Sequence, residues 1–107
     1  MARTAEGVIK DMVNAVLKRN GAYYFCPVQN GLGAAGLDYH CCLGPVAFFI
    51  ETKAPGKAPT PRQEKLIGEH RARGTKVFVI DSQAGAMELD RWLAERLLLT
   101  MTTALPA

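Results

Sequence analysis

Cysteine is scarce in this sequence, and its spacing excludes two common uses of the residue. The chain has three cysteines, Cys26, Cys41 and Cys42, an odd number of which two are adjacent. This pattern disfavours a disulfide framework, and no Cys-x-x-Cys pair offers the ligand spacing of a structural zinc site. We therefore expect buried, reduced thiols in a cytosolic protein, and neither a disulfide scaffold nor a zinc-stabilised structural protein.

Long hydrophobic runs are missing as well. The longest apolar stretch near the C-terminus covers residues 97–101, which is far shorter than the roughly 20 residues needed to span a bilayer. The first six residues already include Arg3 and Glu6 and lack the apolar run of a signal peptide. The sequence therefore predicts no membrane or export segment and a cytoplasmic location.

Neither sign of charge dominates the composition. Thirteen basic and 10 acidic residues give a net charge of +3, a mild excess that permits a nucleic-acid partner but does not by itself suggest one. A chain of 107 residues with 49% hydrophobic and 21% charged residues is typical of one globular domain. We expect a single domain over residues 1–107, without internal repeats.

Hydrophobic periodicity predicts an α/β fold. Apolar residues at helical spacing predict three helices, over residues 4–20, 60–74 and 87–99. β-prone runs predict four strands, over residues 22–28, 37–43, 46–53 and 75–81. Helices should cover a mixed sheet in which the strands at 46–53 and 75–81 are parallel, since a helix connects them.

Three local patterns add detail to this fold. The apolar run over residues 77–80 is typical of a strand buried on both faces. Gly44-Pro45 predicts a hairpin turn, and the glycine-rich residues 29–36 predict a loop. The last helix should complete the core with one apolar side, formed by Leu89, Trp92, Leu93 and Leu97.

Charged residues interrupt one end of the predicted hairpin. Glu51 and Lys53 share a face of the sheet because side chains alternate along a strand. Antiparallel pairing about the hairpin turn places Asp38 roughly opposite Glu51. Two carboxylates can bind a hard divalent ion such as Mg²⁺ that activates a water, and a lysine beside them can stabilise a phosphate. The arrangement predicts phosphodiester hydrolysis.

Each of these three residues also has a plain structural explanation. Glu51 and Lys53 can form a solvated ion pair at a strand end. Asp38 can cap the turn that follows Gly36. The combination of all three at one place favours the functional interpretation.

Two helix-start residues likewise have two interpretations. Glu6 lies on the apolar stripe of the first helix, but the helix dipole also favours an acid in a first turn. Gln63 completes a capping box with Thr60. It also shares a helical face with Leu66 and Ile67, so its side chain can point toward the sheet. The residues alone leave both alternatives open.

The same residues resemble a known pattern. A sheet aspartate, a strand ending in Glu-x-Lys and an acid on the preceding helix resemble the PD-(D/E)XK nuclease superfamily. Within it, residues 36–38, 49–56 and 60–63 with Gly74 resemble the VRR-NUC (virus-type replication-repair nuclease) family. The resemblance covers about residues 4–81 and implies a restriction-endonuclease-like αβββαβ core. The family usually has proline where this chain has Leu37, a position that shapes the turn and does not bind metal.

The resemblance implies a metal-dependent DNA endonuclease that uses Mg²⁺ or Mn²⁺. Asp38, Glu51 and Lys53 would form the catalytic set, with Gln63 facing the site and Glu6 joining the two carboxylates at the metal. Some members behave like Holliday-junction resolvases as homodimers, so duplex or branched DNA is the expected partner. Small stand-alone members are similar to phage proteins, which implies the cytoplasm of a bacterial host. The alternative is a nuclease fold that binds DNA structures without cutting.

Basic residues follow the Glu-x-Lys triplet. They are Lys57, Arg62, Lys65, Arg71, Arg73 and Lys76. Solvated helix charges are the default explanation, but a basic rim beside carboxylates also suits a phosphate backbone. Lys57 and Arg62 are the best candidates for backbone contacts. His40 shares a strand face with Asp38, and we assign it no role.

Overall fold

The computed structural model describes residues 3–27 and 36–104, with only the backbone described for residues 100–104. The helices are α1 (Ala5–Arg19), α2 (Pro61–Ala72) and α3 (Gln83–Ala104). The strands are β1 (Tyr23–Phe25), β2 (Tyr39–Leu43), β3 (Val46–Thr52) and β4 (Lys76–Ile80). Val28 and all but the last residue of the predicted loop at 29–36 lie outside the described residues.

The four strands form one mixed sheet in the order β1-β2-β3-β4. β2 pairs antiparallel with β1 and with β3, whereas β3 and β4 are parallel. The hairpin turn places Gly44 at φ 58°, a left-handed conformation that glycine adopts without a Cβ penalty. The predicted hairpin, the parallel pair and the mixed α/β architecture are therefore confirmed.

Helices cover both faces of this sheet. Buried residues of α1 and α3, such as Leu17 and Leu89, pack on one face around Phe48 and Ile50 of β3. On the other face α2 contributes Ile67 to a smaller core with Leu37 and Val77. Because side chains alternate along β3, Thr52 faces α1 and α3, whereas Glu51 faces α2.

β4 lies at an edge of the sheet, although its apolar run is typical of a central strand. Val77 packs in the core under α2, and Ile80 packs in the core on the opposite face. Phe78 and Val79 are only half-buried. The prediction of a strand buried on both faces is therefore right for Val77 and Ile80 and wrong for Phe78 and Val79. Their incomplete burial follows from the edge position of β4, which pairs with one strand among the described residues.

α3 begins four residues before the predicted start at Met87. The Ser82 Oγ accepts a hydrogen bond from the Gly85 backbone N–H at 3.1 Å, and the Ser82 carbonyl accepts one from the Ala86 N–H at 3.1 Å. A serine cap therefore starts the helix before its apolar periodicity becomes visible. Within residues 3–27 and 36–104, no helix is both long and apolar enough to cross a membrane.

The prediction of buried thiols is right for one cysteine and wrong for two. Cys41 is buried, whereas Cys26 and Cys42 are exposed. Alternation along β2 turns Cys41 into the core and Cys42 to the opposite face, beside the short edge strand β1. Cys26 directly follows β1, where the sheet edge meets solvent. All three are free thiols.

Candidate active site

Asp38 and Glu51 meet at the open end of the β2–β3 hairpin, as predicted. The strand register pairs Tyr39 with Ile50, so the next residue outward on each strand lies opposite the other. The Asp38 backbone N–H donates a hydrogen bond to the Glu51 Oε1 at 3.1 Å. Asp38 occupies a bend just before β2 rather than the strand itself. This bend brings its carboxyl group to the end of β3.

The Asp38 carboxylate is held by donors from two elements. Its Oδ2 accepts hydrogen bonds from the Thr52 backbone N–H at 2.9 Å and from the Thr52 hydroxyl at 2.7 Å. The Lys10 Nζ of α1 lies 3.3 Å from the same oxygen. Burial opposes ionisation, but the Thr52 hydrogen bonds and the Lys10 charge together lower the pKa of Asp38 below its usual value. Asp38 is therefore ionised at neutral pH.

The environment of Glu51 disfavours its ionised form, in contrast to that of Asp38. Only 1% of the residue is exposed. Burial and, after it, the negative charge of Asp38 raise the pKa of Glu51 to about 7, against the opposing effects of the Asp38 N–H and of Lys53. Neighbouring carboxyl groups with pKa values pushed in opposite directions are typical of catalytic sites.

Lys53 follows β3 on the same face as Glu51. Its backbone N–H donates a hydrogen bond to the Ile80 carbonyl at 3.0 Å, which fixes the residue against the end of β4. The residue is half-buried. Among the described residues, its ammonium group forms no hydrogen bond or ion pair. The Lys53 side chain is therefore close to the carboxyl pair and is available to a substrate.

The donor set fits a hard divalent ion. In the described ranges no group of three or more His, Cys, Asp or Glu side chains is close enough together to hold a metal ion. Mg²⁺, however, is commonly bound by one or two carboxylates together with waters and phosphate oxygens. The buried Glu51 carboxyl group lies beside Asp38. Two adjacent carboxyl groups are unfavourable when both are ionised, and a bound cation would stabilise them. Asp38 and Glu51 can therefore hold such an ion.

This chain is similar to a solved structure that is described as a VRR_NUC domain. It superposes with a TM-score of 0.72 and 25% sequence identity, over 81% of this chain and 95% of that one. No family model and no curated protein matches the sequence. The resemblance to the VRR-NUC family is confirmed. The chain thus has a nuclease fold, and the carboxyl pair lies at one end of its sheet.

Glu6, which the VRR-NUC resemblance places near the metal, forms no group with Asp38 and Glu51 that could hold a metal ion. Thr4 caps α1 by accepting a hydrogen bond from the Gly7 N–H at 3.0 Å, and Glu6 lies in the first turn. This is the position where the helix dipole favours an acid. The third-ligand role stays a prediction.

Gln63 forms the capping box that its sequence position allowed. Its Oε1 accepts a hydrogen bond from the Thr60 N–H at 2.9 Å, and the Thr60 hydroxyl accepts one from the Gln63 N–H at 3.2 Å. The cap fixes the start of α2, which follows the loop after Lys53. Gln63 thus uses its side-chain oxygen within α2, and its predicted role at the site stays a prediction.

Two residues of the site were missed by sequence reasoning. Lys10 lies one helical turn after Glu6 and three residues before Val13, on the same stripe of α1. This spacing was the available signal, because a charge on an apolar stripe points toward the sheet. Thr52 is the central residue of Glu-Thr-Lys and faces away from its neighbours. Nothing in the triplet indicates that its hydroxyl binds Asp38.

The predicted basic rim is divided between the two ends of the sheet. Lys57 and Arg62 are exposed, in the loop after β3 and the first turn of α2, at the end that carries the carboxyl pair. Arg71, in contrast, donates a hydrogen bond to the Val77 carbonyl at 2.8 Å near the start of β4, whereas Glu51 pairs with Val79 near its end. Only the first group adjoins the site.

His40 lies on the sheet face that also carries Glu51. Its ring contacts Phe25 and Phe49, with centroid separations of 6.4 and 4.8 Å. Burial, with a smaller effect from the charge of His70, lowers the pKa of His40 below its usual value. The imidazole is therefore neutral at neutral pH and belongs to an aromatic cluster.

Proposed function

We propose that this chain is a metal-dependent DNA endonuclease that hydrolyses phosphodiester bonds. The single observation that supports it most is the meeting of Asp38 and Glu51 beside Lys53 at the end of a sheet with the VRR-NUC fold. Two adjacent carboxyl groups and an uncommitted ammonium are the groups that metal-assisted phosphoryl chemistry requires.

Each residue has a distinct proposed role. Asp38 and Glu51 hold Mg²⁺ or Mn²⁺, an ion that lowers the pKa of bound water and neutralises a phosphate. Lys53 orients the attacking water and stabilises negative charge on the phosphate as it develops. Glu6 is the proposed third acid, because it lies one helical turn before Lys10, whose side chain reaches Asp38. Gln63 supports the site by fixing the start of α2.

DNA is the proposed substrate. Lys57 and Arg62 are exposed at the same end of the sheet as the carboxyl pair, where they can contact phosphates on either side of the cleaved bond. Such contacts recognise backbone and shape rather than base sequence, so we propose structure-specific cleavage of branched DNA, as by a Holliday-junction resolvase. Homodimerisation belongs to this proposal, and Tyr23 and Phe25 expose apolar surface on the edge strand β1.

The test is cleavage of a panel of DNA structures by the purified full chain. Linear duplex, flap, single-stranded and four-way-junction DNA are incubated with Mg²⁺, with Mn²⁺ and with a chelator. We expect cleavage only with a divalent ion, a preference for junctions, and paired symmetric nicks from a dimer. Binding of these DNAs without cleavage in either metal would instead support a DNA-binding module on a nuclease fold.

A further inference from the structure

Lys10 reaches the carboxyl pair from α1, on the face of the sheet opposite to Lys53. Its Nζ donates a hydrogen bond to the Thr52 Oγ1 at 2.7 Å and lies 3.3 Å from the Asp38 Oδ2. The Thr52 hydroxyl donates its own proton to that same oxygen at 2.7 Å. Lys10, Thr52 and Asp38 thus form a continuous chain that ends on a carboxylate of the proposed metal site.

The Lys10 ammonium lies beside the Tyr39 ring and keeps a route to solvent. The Nζ lies 5.6 Å from the centroid of the Tyr39 ring, and the Tyr39 hydroxyl donates a hydrogen bond to the Asn14 Oδ1 at 2.7 Å, one helical turn further along α1. The buried Tyr39 therefore supports the helix face that carries Lys10. The Lys10 side chain is nevertheless 35% exposed, so its flexible end can rotate away without unpacking the core.

The ammonium is not needed to hold Asp38 in place. Asp38 accepts two hydrogen bonds from Thr52, at 2.9 and 2.7 Å, and neither of them is donated by Lys10. The main effect of Lys10 at the site is therefore its positive charge. A divalent ion that binds Asp38 comes within a few ångströms of this charge, and the two cations repel each other.

From this geometry we propose that Lys10 is an internal counter-ion of the metal site. In the metal-free protein its ammonium neutralises Asp38, and a divalent ion must displace it before the site is loaded. This inference rests on the proposed function, because it assumes that Asp38 binds the metal. Lys10 thereby balances the charge of Asp38 in the metal-free protein and raises the metal concentration at which the enzyme becomes active.

The test is the affinity of the metal-free full chain for Mg²⁺ and Mn²⁺, measured by titration calorimetry without DNA. Lys10→Met removes the charge but keeps the length, and Lys10→Gln keeps a donor for the Thr52 hydroxyl. Lys18→Met is the matched control, since Lys18 is an exposed lysine in the last turn of the same helix. We expect both Lys10 variants to bind metal about tenfold more tightly than the wild type, as removal of one repelling charge at several ångströms predicts.

Each outcome separates the inference from the proposed function. Equal or weaker metal binding by the Lys10 variants overturns the counter-ion role and leaves the nuclease proposal intact. A lack of metal binding by every protein, the wild type included, contradicts both. Thermal unfolding in chelator shows whether each variant is folded, and Lys10→Gln decides the question if Lys10→Met does not fold. In cleavage assays, the half-saturating Mg²⁺ concentration should fall by the same factor.

Discussion

Two lysines approach the carboxyl pair from opposite faces of the sheet, and they differ in how they are used. The Lys10 ammonium is bound to Thr52 and Asp38 within the resting structure. The Lys53 ammonium, on the α2 side, forms no hydrogen bond or ion pair with any other described residue. The first is therefore part of the fold of the metal-free protein, and the second is available for substrate.

The two carboxyl groups also differ in how far the surrounding residues stabilise them. Asp38 receives two hydrogen bonds from Thr52 and a nearby positive charge, which stabilise its ionised form. Glu51 is almost fully buried and receives one hydrogen bond, from the Asp38 backbone. Two adjacent acids are thus made chemically different by what surrounds them. Variants of Lys53 and of each acid can test both differences.

Lys53→Met should have the largest effect. Because this ammonium is the group available to a phosphate, we expect cleavage in Mg²⁺ to fall roughly 10²- to 10³-fold, with DNA binding within a few-fold of the wild type. Cleavage rates and gel-shift affinities check both expectations. Lys18→Met, an exposed lysine in the last turn of α1, is the control and should cleave normally. A wild-type rate for Lys53→Met would remove Lys53 from the mechanism.

Asp38→Asn should destabilise the metal-free protein. It replaces the charged acceptor of the Thr52 and Lys10 contacts by a neutral amide, and a lost hydrogen bond to a charged group costs about 2 kcal/mol. Urea unfolding in chelator at pH 7 measures this change. The control is Asp11→Asn, which breaks the ion pair between Asp11 and Arg3. Both of these side chains are more than half exposed, so we expect the control to lose less than about 1 kcal/mol of stability. An equal loss of stability in the two variants would show that the contacts of Asp38 stabilise the fold no more than an exposed ion pair does.

Glu51→Gln should change stability in the opposite direction and in a pH-dependent way. The folded-state pKa of Glu51 is raised from 4.5 to about 7, so the folded protein binds more protons than the unfolded chain between these values. The contribution of Glu51 is therefore greatest below pH 4.5 and is lost as the pH rises through about 7. At pH 8 in chelator, Glu51→Gln should be more stable than the wild type by about 3 kcal/mol.

The measurement is the difference between the two unfolding free energies from pH 5 to pH 8. His40 changes stability with pH in the opposite sense, since its lowered pKa gives stability that is lost as the pH falls. His40 is present in both proteins and cancels in the difference. A difference that is flat across this range would show that Glu51 titrates normally.

Gln63 should have the smallest effect. Gln63→Ala removes one half of the α2 capping box, which we expect to cost about 0.5 to 1 kcal/mol of stability and to slow cleavage a few-fold. Gln63→Glu retains a capping-box side chain and should restore both. If Gln63→Glu unfolds like the wild type but does not cleave, Gln63 acts on the substrate directly rather than through the cap.

Local patterns predicted most of the fold. The capping box at Thr60 and the Gly44-Pro45 turn specify α2 and the hairpin, since their geometry depends on neighbouring residues. The start of α3 was misplaced because its Ser82 cap precedes any apolar periodicity. Exposure of Cys42 was missed because alternation along β2 tells which residues share a face, but not how far the sheet and its helices extend over that face.

The sequence by itself determined the order of the elements and the pairing of Asp38 with Glu51, because a two-fold alternation and one turn set the register of a hairpin. Only the tertiary structure decided what surrounds these two acids. Lys10 is 28 residues before Asp38 in the chain and reaches it because α1 packs across the sheet. Burial of Glu51 depends in the same way on the elements packed around it, so the difference between the two carboxyl groups is a property of packing.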